Sequence, residues 1–400
     1  MEFIMDIFTF LLFALLIFPL MTVLMHLLLK KRGKKEYHSA DGNHDFAVIV
    51  TAYKNFSVTL ASIESLIRQN YPSEKYFVYV VADGCEDITE VSSDRVAVLK
   101  PEEQLNSKVR SMLFAIDRFK RKHDYIIVID ADNVAAPDYL EQMNRFTRQG
   151  YTAVQGKRTH KNLDTAYAGL DAAGEIYYNY TQRTVPYQLG SSAAISGSAM
   201  AIKASVYENL LREISSQSGV ILAEDKMLQN YLAKEDFVTA FAENALVFDE
   251  KISKGVQTQR QRTRWLKSYF DNLKTAFGIA VLGLKKRSFN QVFFGIMTAY
   301  PPIIIMILFS AVIVLLNLLF APGGILLIAA GWILFVFCFL FVLLINHARK
   351  EIWKSLFSIP LFAFRQVMAL LNLKKSKTDF LATEHTKNRS VDDILKEMKR

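Results

Sequence analysis

The sequence predicts an α/β protein, in which a central domain with a mainly parallel, open sheet is flanked by helices that cross a membrane or lie on it. Two observations predict this architecture. Short apolar runs alternate with helical patterns between residues 45 and 129, and much longer apolar runs lie towards both ends of the 400-residue chain. Alternating strands and helices are typical of parallel sheets, and uncharged runs of about twenty apolar residues are typical of transmembrane helices.

The central domain contains four short apolar runs that we interpret as strands, at residues 45–51, 77–82, 96–99 and 125–129. Helices are predicted between them at residues 58–69 and 108–120. The fourth run is apolar throughout, which fits a strand covered on both faces of its sheet. Because ligands bind at the carboxyl ends of strands in such sheets, the polar residues that follow these runs are candidates for a functional site.

Residues 7–29 consist almost entirely of apolar side chains, and a helix of this length spans about 34 Å. A cleaved signal peptide is the alternative. It would need a basic start and a small-residue cleavage site, but Glu2 and Asp6 precede the run and no Ala-x-Ala motif follows it. We therefore expect a transmembrane anchor.

Two further spans are predicted at residues 292–320 and 325–345, separated by the short turn 321–324. A buried hairpin in a soluble core is the alternative, but uncharged runs of this length are rare in soluble cores. Residues 352–373 are also apolar, yet they include charged residues and precede a lysine cluster. We interpret them as a helix lying in the membrane interface, and a further crossing is the alternative.

Basic clusters next to the predicted spans set the expected orientation. They lie at residues 30–35, 285–287 and 349–350. By the positive-inside rule all three are cytoplasmic. Residues 30–291 are then expected to form one cytoplasmic domain in an integral protein of the inner or cell membrane.

Composition argues against several other classes of protein. The net charge of +9 is concentrated beside the spans, so anionic lipid headgroups explain it better than nucleic acid, and no nucleic-acid partner is expected. The two cysteines, Cys85 and Cys338, cannot form a disulfide framework and fit a reducing compartment. Neither G-x-G-x-x-G nor G-x-x-x-x-G-K is present, so a dinucleotide-binding or P-loop protein would lack its phosphate site.

An acidic D-x-D pair, Asp130 and Asp132, follows the fourth strand. Two carboxylates this close repel each other unless a cation lies near them. Mg²⁺ or Mn²⁺ is the expected cofactor, because such hard cations take one or two carboxylates together with phosphate oxygens. An ordinary acidic turn is the alternative.

Two other acidic positions are candidates for a site. Asp83 ends the second strand, where it either accepts hydrogen bonds from a nucleoside or only stabilises a turn. Glu224 and Asp225 begin a helical stretch. The helix dipole alone favours acids there, whereas the functional interpretation is a base that removes a proton from an acceptor hydroxyl.

The segment Gln261-Arg262-Thr263-Arg264-Trp265 is unusually basic for a helix that also carries aromatic residues. One interpretation is an amphipathic helix that rests on anionic lipid. The other adds Arg264 as a clamp for a departing diphosphate and Trp265 as an aromatic platform. The two interpretations are compatible.

Taken in chain order, Asp83, the D-x-D pair, Glu224-Asp225 and the Q-x-x-R-W segment resemble the motif set of the family 2 inverting glycosyltransferases. They are similar in particular to the processive branch, which includes cellulose, hyaluronan, chitin and poly-N-acetylglucosamine synthases. The resemblance covers about residues 45–270. It implies a GT-A fold, with a Rossmann-like, mostly parallel sheet, and hexosyl transfer from a UDP-sugar with inversion at the anomeric carbon.

The resemblance also implies roles for individual residues. Asp225 matches the general base, with Glu224 beside it, and Asp132 matches the direct metal ligand, with Asp130 beside it. The donor-binding positions are Thr51, Ala52, Tyr53, Asp83, Lys108, Asp130, Asp132 and Arg264. The acceptor-binding positions are Gln261, Trp265, Gly197 and Ser198. A tightly packed strand of small residues is the alternative interpretation of the last two.

The expected organisation has five segments. They are a transmembrane anchor (1–35), a GT-A domain (36–250), interfacial helices with the Q-x-x-R-W motif (251–291), two transmembrane helices (292–346), and an interfacial helix with a cytoplasmic tail (347–400).

The expected function is sugar transfer to a growing polysaccharide or glycan at the cytoplasmic face. Three spans are few for a polymer pore, so either a partner subunit or a homo-oligomer completes it, or the product is small. Membrane ceramide glucosyltransferases have a similar motif set and membrane part, so a lipid acceptor is the alternative. The non-enzymatic alternatives are an inactive scaffold and a subunit of a glycan-export complex. Against them, every motif carboxylate is present and the spans contain few polar residues.

Overall fold

The computed structural model describes residues 2–29, 42–216, 224–251, 255–320, 322–360 and 389–398. Side chains are described for these residues apart from 255–264, 395, 397 and 398. Within this part of the chain, an α/β domain is joined to long apolar helices.

An eight-stranded sheet forms the centre of the α/β domain, with the strand order β3-β2-β1-β4-β7-β6-β8-β5. In chain order its strands are β1 (Phe46–Tyr53), β2 (Tyr76–Asp83), β3 (Val96–Leu99), β4 (Tyr125–Asp130), β5 (Val134–Ala135), β6 (Ala153–His160), β7 (Met200–Lys203) and β8 (Thr239–Asp249). The first four strands run parallel to one another, and β6 is parallel to β8. β7 is antiparallel to β4 and β6, and β5 is antiparallel to β8. The prediction of a mostly parallel sheet is confirmed.

The helices of the described residues follow the same chain order. They are α1 (Glu2–Leu29), α2 (Leu60–Ile67), α3 (Lys108–Ile116), α4 (Tyr139–Thr147), α5 (Ala166–Asn179), α6 (Val185–Gln188), α7 (Ala204–Ser215), α8 (Glu224–Lys234), α9 (Gly255–Lys286), α10 (Phe289–Ala299), α11 (Ile303–Phe320), α12 (Gly324–Ile345), α13 (Lys350–Ser355) and α14 (Val391–Met398). A π-helix, Tyr180–Thr184, joins α5 to α6.

Alternate residues of β1 enter two different apolar cores. Phe46, Val48 and Val50 pack with side chains of α2 and α4 on one face of the sheet. Ala47 and Ile49 pack with side chains of α3 and α7 on the other face. A strand covered on both faces is buried at every position, which explains why this run is continuously apolar.

Three of the described helices, α1, α11 and α12, are long and apolar enough to cross a membrane. Gly331 of α12 lets α1 approach closely, because a Cβ atom at this position would lie 2.9 Å from Leu16 Cδ1. Asn317 of α11 donates a hydrogen bond to the hydroxyl of Thr9 in α1 over 2.9 Å. Small residues and polar pairs of this kind stabilise helix association in lipid.

The apolar run at residues 292–320, predicted as one span, is divided in the structure. α10 ends at Ala299 and α11 begins at Ile303. Pro301 and Pro302 explain the break, because proline lacks an N–H group and disfavours helical geometry in the preceding residue. α10 packs instead against α9, where a Cβ atom at Gly295 would lie 2.6 Å from the backbone nitrogen of Ala280.

The predicted interfacial helix at residues 352–373 lies mainly outside the described residues, as does the basic cluster at 30–35. The described beginning of the predicted interfacial helix belongs to α13, which packs against α5. A Cβ atom at Gly169 of α5 would lie 2.6 Å from Ser355 Cβ, and Ile352 is buried with Ala172. α13 therefore connects the last apolar helix to the α/β domain.

Candidate active site

The carboxyl ends of β1, β2 and β4 bring several predicted site residues to one edge of the sheet. Tyr53 is in register with Asp83, and Thr51 is in register with Asp130. Ala52 lies between the two β1 positions and is buried. The parallel register thus places the predicted donor-binding residues of three strands next to one another.

Asp83 holds the loop that precedes α3. It is 2% exposed, and its carboxylate oxygens accept hydrogen bonds from the backbone N–H groups of Leu105 and Asn106 over 2.7 and 2.9 Å. The hydroxyl of Tyr53 donates to the Asn106 side chain over 2.8 Å. The structure therefore shows Asp83 positioning a loop, and its contact with a nucleoside stays a prediction.

Lys108, the first residue of α3, connects three parts of the candidate site. Its ammonium group lies 2.7 Å from the Asp130 carboxylate, 2.8 Å from the carbonyl oxygen of Gly197 and 3.7 Å from the Glu224 carboxylate. Burial would lower the pKa of Lys108, but the neighbouring carboxylates of Asp130 and Glu224 outweigh burial and raise it. The ammonium group therefore stays charged at neutral pH.

The acidic turn after β4, residues 130–133, is fixed by buried polar contacts. The N–H group of Asp130 donates to the hydroxyl of Ser198 over 3.0 Å, and this hydroxyl donates to the Asn133 side chain over 2.7 Å. The Asn133 amide in turn donates to Asp249 over 3.0 Å. Ser198, predicted to line the acceptor site, is fully buried and in the structure anchors the acidic turn.

The acidic turn offers two of the carboxylate ligands that a hard divalent cation takes. Asp132 is 6% exposed, and one of its carboxylate oxygens accepts a long 3.4 Å hydrogen bond from the Glu250 N–H group. Among the described residues no group of three or more His, Cys, Asp or Glu could hold a metal ion. Two aspartates fit Mg²⁺ or Mn²⁺ when phosphate oxygens and water supply the remaining ligands.

Gly197 brings the base candidate next to Lys108. Its φ of +73° lies in the left-handed region that glycine adopts readily. A Cβ atom there would lie 3.5 Å from Asp225 Cβ and 3.7 Å from Lys108 Nζ. Burial raises the pKa of Glu224, and the positive charge of Lys108 opposes this shift. The two acids of α8 thus differ in surroundings, since Glu224 pairs with the ammonium group and Asp225 lies against the Gly197 backbone.

Gln155 of β6 supports this arrangement and was not predicted from the sequence. It is fully buried, and its side-chain nitrogen donates to the carbonyl oxygens of Ser198 and Ala199 over 3.0 and 3.2 Å. Its side-chain oxygen accepts from the Ser196 N–H group over 3.0 Å. In the sequence, the only indication of this role is that Gln155 is an amide side chain in the first half of β6, where its neighbours are apolar or glycine.

A group of charged side chains that was not predicted from the sequence lies directly behind the acidic turn. Asp249 accepts hydrogen bonds from Arg158 and from Lys251, and Lys251 also pairs with Glu175 of α5. Burial would raise the pKa of Asp249, but these two cations lower it below its ordinary value. The ionised carboxylate then accepts the hydrogen bond that orients Asn133.

The Q-x-x-R-W segment lies on α9, as predicted, but its role stays a prediction. The side chains of Gln261 and Arg264 lie outside the described residues. The indole of Trp265 is described and is 52% exposed.

Comparisons with known proteins agree with this fold. Residues 44–268 match the model of the family described as Glycosyltransferase like family 2, and the match covers more than half of the chain. The chain therefore belongs to this family and is a glycosyltransferase. No curated protein sequence matches the chain.

Solved structures extend the comparison. The chain is similar to the mannosyltransferase PcManGT from Pyrobaculum calidifontis, in complex with GDP-Man and Mn²⁺, at 15% identity and a TM-score of 0.53, over 92% of this chain and 99% of that chain. A weaker similarity links it to TarS 1–349 of S. aureus in complex with UDP-GlcNAc, at 15% identity and a TM-score of 0.38, over 52% of this chain and 59% of that chain. The fold is GT-A, as predicted, accompanied by three helices that could span a membrane.

Proposed function

We propose that the protein is a membrane-bound, inverting glycosyltransferase that moves a hexose from a UDP-sugar to a growing glycan at the cytoplasmic membrane face. The arrangement around Lys108 carries this proposal. Its ammonium group contacts Asp130, Glu224 and the carbonyl of Gly197, and Gly197 lies against Asp225. The acidic turn assigned to the donor and the helix assigned to the base therefore meet at one charged group.

The donor is proposed to lie across the carboxyl ends of β1, β2 and β4, with its diphosphate at the acidic turn. A divalent ion held by Asp132 and Asp130 would offset negative charge on the departing diphosphate. Lys108 adds a fixed positive charge beside the same turn. The donor-binding residues of this proposal are Thr51, Ala52, Tyr53, Asp83, Lys108, Asp130, Asp132 and Arg264.

Asp225 is the proposed general base. It takes the proton from the acceptor hydroxyl while that oxygen bonds to the anomeric carbon. The bond from this carbon to the diphosphate oxygen breaks at the same time, and UDP leaves with the electron pair. Attack opposite the leaving group inverts the configuration. Glu224 serves this step by pairing with Lys108.

The acceptor is proposed to lie between α9 and the Gly197 segment. Trp265 offers an exposed ring on which a sugar can stack, with Gln261 and Gly197 as the other contact positions, and the buried Ser198 supports this segment by holding the acidic turn. Because three spans do not enclose a pore by themselves, a polymer product would require a partner subunit or a homo-oligomer.

A membrane lipid that receives a single sugar is the second candidate acceptor. The contact between the π-helix and the apolar helices favours it. Tyr180 of the π-helix is buried with Val23 of α1 and Val342 of α12, and the rings of Tyr180 and His26 are 5.8 Å apart. The α/β domain therefore rests directly on the helices that could span a membrane, close to where a lipid headgroup would approach.

Transfer of radiolabel tests the proposal. The detergent-purified protein is incubated with a panel of labelled UDP-sugars, Mg²⁺ or Mn²⁺, and membrane lipid extract. We expect label in a long glycan, seen by size exclusion, or in an extractable glycolipid, and we expect EDTA to abolish it. Absence of transfer from every donor would contradict the donor assignment. Transfer that EDTA leaves unchanged would contradict the metal assignment.

A further inference from the structure

The helix α14 docks on the α/β domain through a small apolar face. Val391 and Ile394 are 4% and 2% exposed and pack against Val134 and Ala136. The remaining described side chains of α14 are exposed and charged: Asp392, Asp393 and Lys396. A helix of eight residues is not stable alone in water, so α14 depends on this contact.

The surface under α14 belongs to the segment that follows the acidic turn. Val134 begins β5 only two residues after Asp132, and β5 lies at one edge of the described sheet. Within the described sheet it pairs with β8, where Val134 is in register with Phe248. Phe248 belongs to the same apolar cluster as Ile394. α14 therefore packs against both β5 and β8, the paired strands that follow the acidic turn or hold the segment after it.

Polar contacts connect the same segment to Asp132 by a second path. Arg389, just before α14, donates a hydrogen bond to the carbonyl oxygen of Lys161 over 3.0 Å. Lys161 is 4% exposed, and its ammonium group donates to the carbonyl oxygen of Asp132 over 3.1 Å. The backbone of Asp132 is thus held through Lys161, whose own backbone contacts Arg389.

Two further contacts lie at the beginning of residues 389–398. The hydroxyl of Ser390 accepts a hydrogen bond from the Asp393 N–H group over 3.2 Å, which caps the first turn of α14. Asp392 and Arg68 of the α/β domain form an exposed ion pair at 3.0 Å, which adds little stability. Among the described side chains, Val391, Ile394 and Arg389 therefore provide most of the attachment.

We propose that residues 389–398 are a positioning element that holds the acidic turn in the geometry required for donor and metal binding. The inference rests on the proposed function in that Asp132 and Asp130 are assigned to the donor and its metal. Residues 389–398 contact the strand that follows the turn and the backbone of Lys161, so their release weakens donor binding without removing any group that reacts.

The test compares Ile394→Asp with Lys396→Ala in the full chain. Ile394→Asp places a charge in the apolar contact, whereas Lys396→Ala alters an exposed residue of the same helix. Hydrogen exchange of peptides covering residues 130–136 should be about tenfold faster in Ile394→Asp. The Kd for UDP in the presence of Mn²⁺ should rise at least about fivefold, with kcat at saturating donor nearly unchanged. Lys396→Ala should match the wild type in all three measurements.

Arg389→Ala provides a second variant that keeps the apolar contact, should Ile394→Asp fail to fold. It should shift exchange and UDP affinity in the same direction by a smaller amount. If exchange shows α14 released while residues 130–136 and UDP affinity stay as in the wild type, the inference is wrong. The two proposals can fail separately. If the variants show faster exchange of the turn and weaker UDP binding, but the wild-type protein transfers no sugar, the positioning role is supported and the proposed function is contradicted.

Discussion

Lys108→Met removes a positive charge that connects the acidic turn, the Gly197 segment and α8. The methionine keeps most of the side-chain volume, so the change is mainly electrostatic. The ammonium group forms charged hydrogen bonds to Asp130 and to the Gly197 carbonyl, at 2.7 and 2.8 Å. A hydrogen bond to a charged group contributes about 1.5–3 kcal/mol. Because Lys108 is partly exposed, we expect the total loss of stability to lie within this range.

The expected loss depends on pH. Lys108 carries its charge throughout the acidic and neutral range, since its pKa is raised. Because the charge of Lys108 does not change over this range, the pH dependence of its stabilising effect comes from protonation of its carboxylate partners, Asp130 and Glu224. The pKa of Glu224 is also raised, so lowering the pH neutralises this carboxyl in the fold before it would in the unfolded chain. Without Lys108 an ionised Glu224 is unfavourable, and the variant should lose more stability at pH 8 than at pH 5.

Thermal unfolding of the detergent-purified proteins measures this loss. For a domain of this size about 1 kcal/mol corresponds to 2–4 °C, so the Tm at pH 8 should fall by about 3–12 °C. Lys100→Met is the matched control, because Lys100 is exposed and its loss should change stability by less than about 0.5 kcal/mol. An unchanged Tm at pH 8, or a larger loss at pH 5, would refute the connecting role of Lys108.

Three further predictions concern the base, the Gly197 backbone and the topology. Asp225→Asn should lower kcat by about two to four orders of magnitude and leave UDP affinity unchanged, and normal turnover would remove the assigned base. Gly197→Ala should lower the free energy of unfolding by about 1–2 kcal/mol, because φ at this position is positive. Gly174→Ala in α5 is the control, since no atom lies within 4 Å of the new Cβ, and it should be neutral or stabilising. Equal stability of the two variants would contradict the strain argument. An impermeant thiol reagent should label a cysteine at Gly323 from outside the cell and not one at Lys100, and the reverse pattern would invert the topology.

The first four strands are predictable from sequence because local pattern and tertiary role agree. Each is a short apolar run, and the residues of β1 enter cores on both faces of the sheet. β6 is harder to predict because its second half carries Lys157, Arg158 and other polar side chains. Its pairing with β7 and β8, from distant parts of the chain, determines its structure.

The division of the 292–320 run shows where apolar length alone misleads. The run is long enough to cross a membrane, and its composition alone predicts one span. Two adjacent prolines, Pro301 and Pro302, interrupt the helix here although their neighbours are apolar. This signal is present in the sequence, and local backbone chemistry here outweighs composition.

The carboxylates of the site are predictable because they occur in an ordered motif set, but their partners are not. Lys108 faces Asp130 and Glu224 only after β4, α3 and α8 have packed. Gln155 and Asn133 likewise resemble ordinary polar residues until the structure shows them fully buried with hydrogen-bond partners. Such contacts arise from tertiary packing, and no spacing along the chain encodes them.

The anomeric configuration of the product tests the central claim most directly. The protein is supplied with an α-linked UDP-sugar that it accepts, and the new glycosidic bond is assigned by NMR from its anomeric coupling constant. Single displacement assisted by Asp225 predicts a β-linked product, with one UDP released for each sugar transferred. An α-linked product, or UDP release without a glycosidic product, would contradict the proposed inverting transfer.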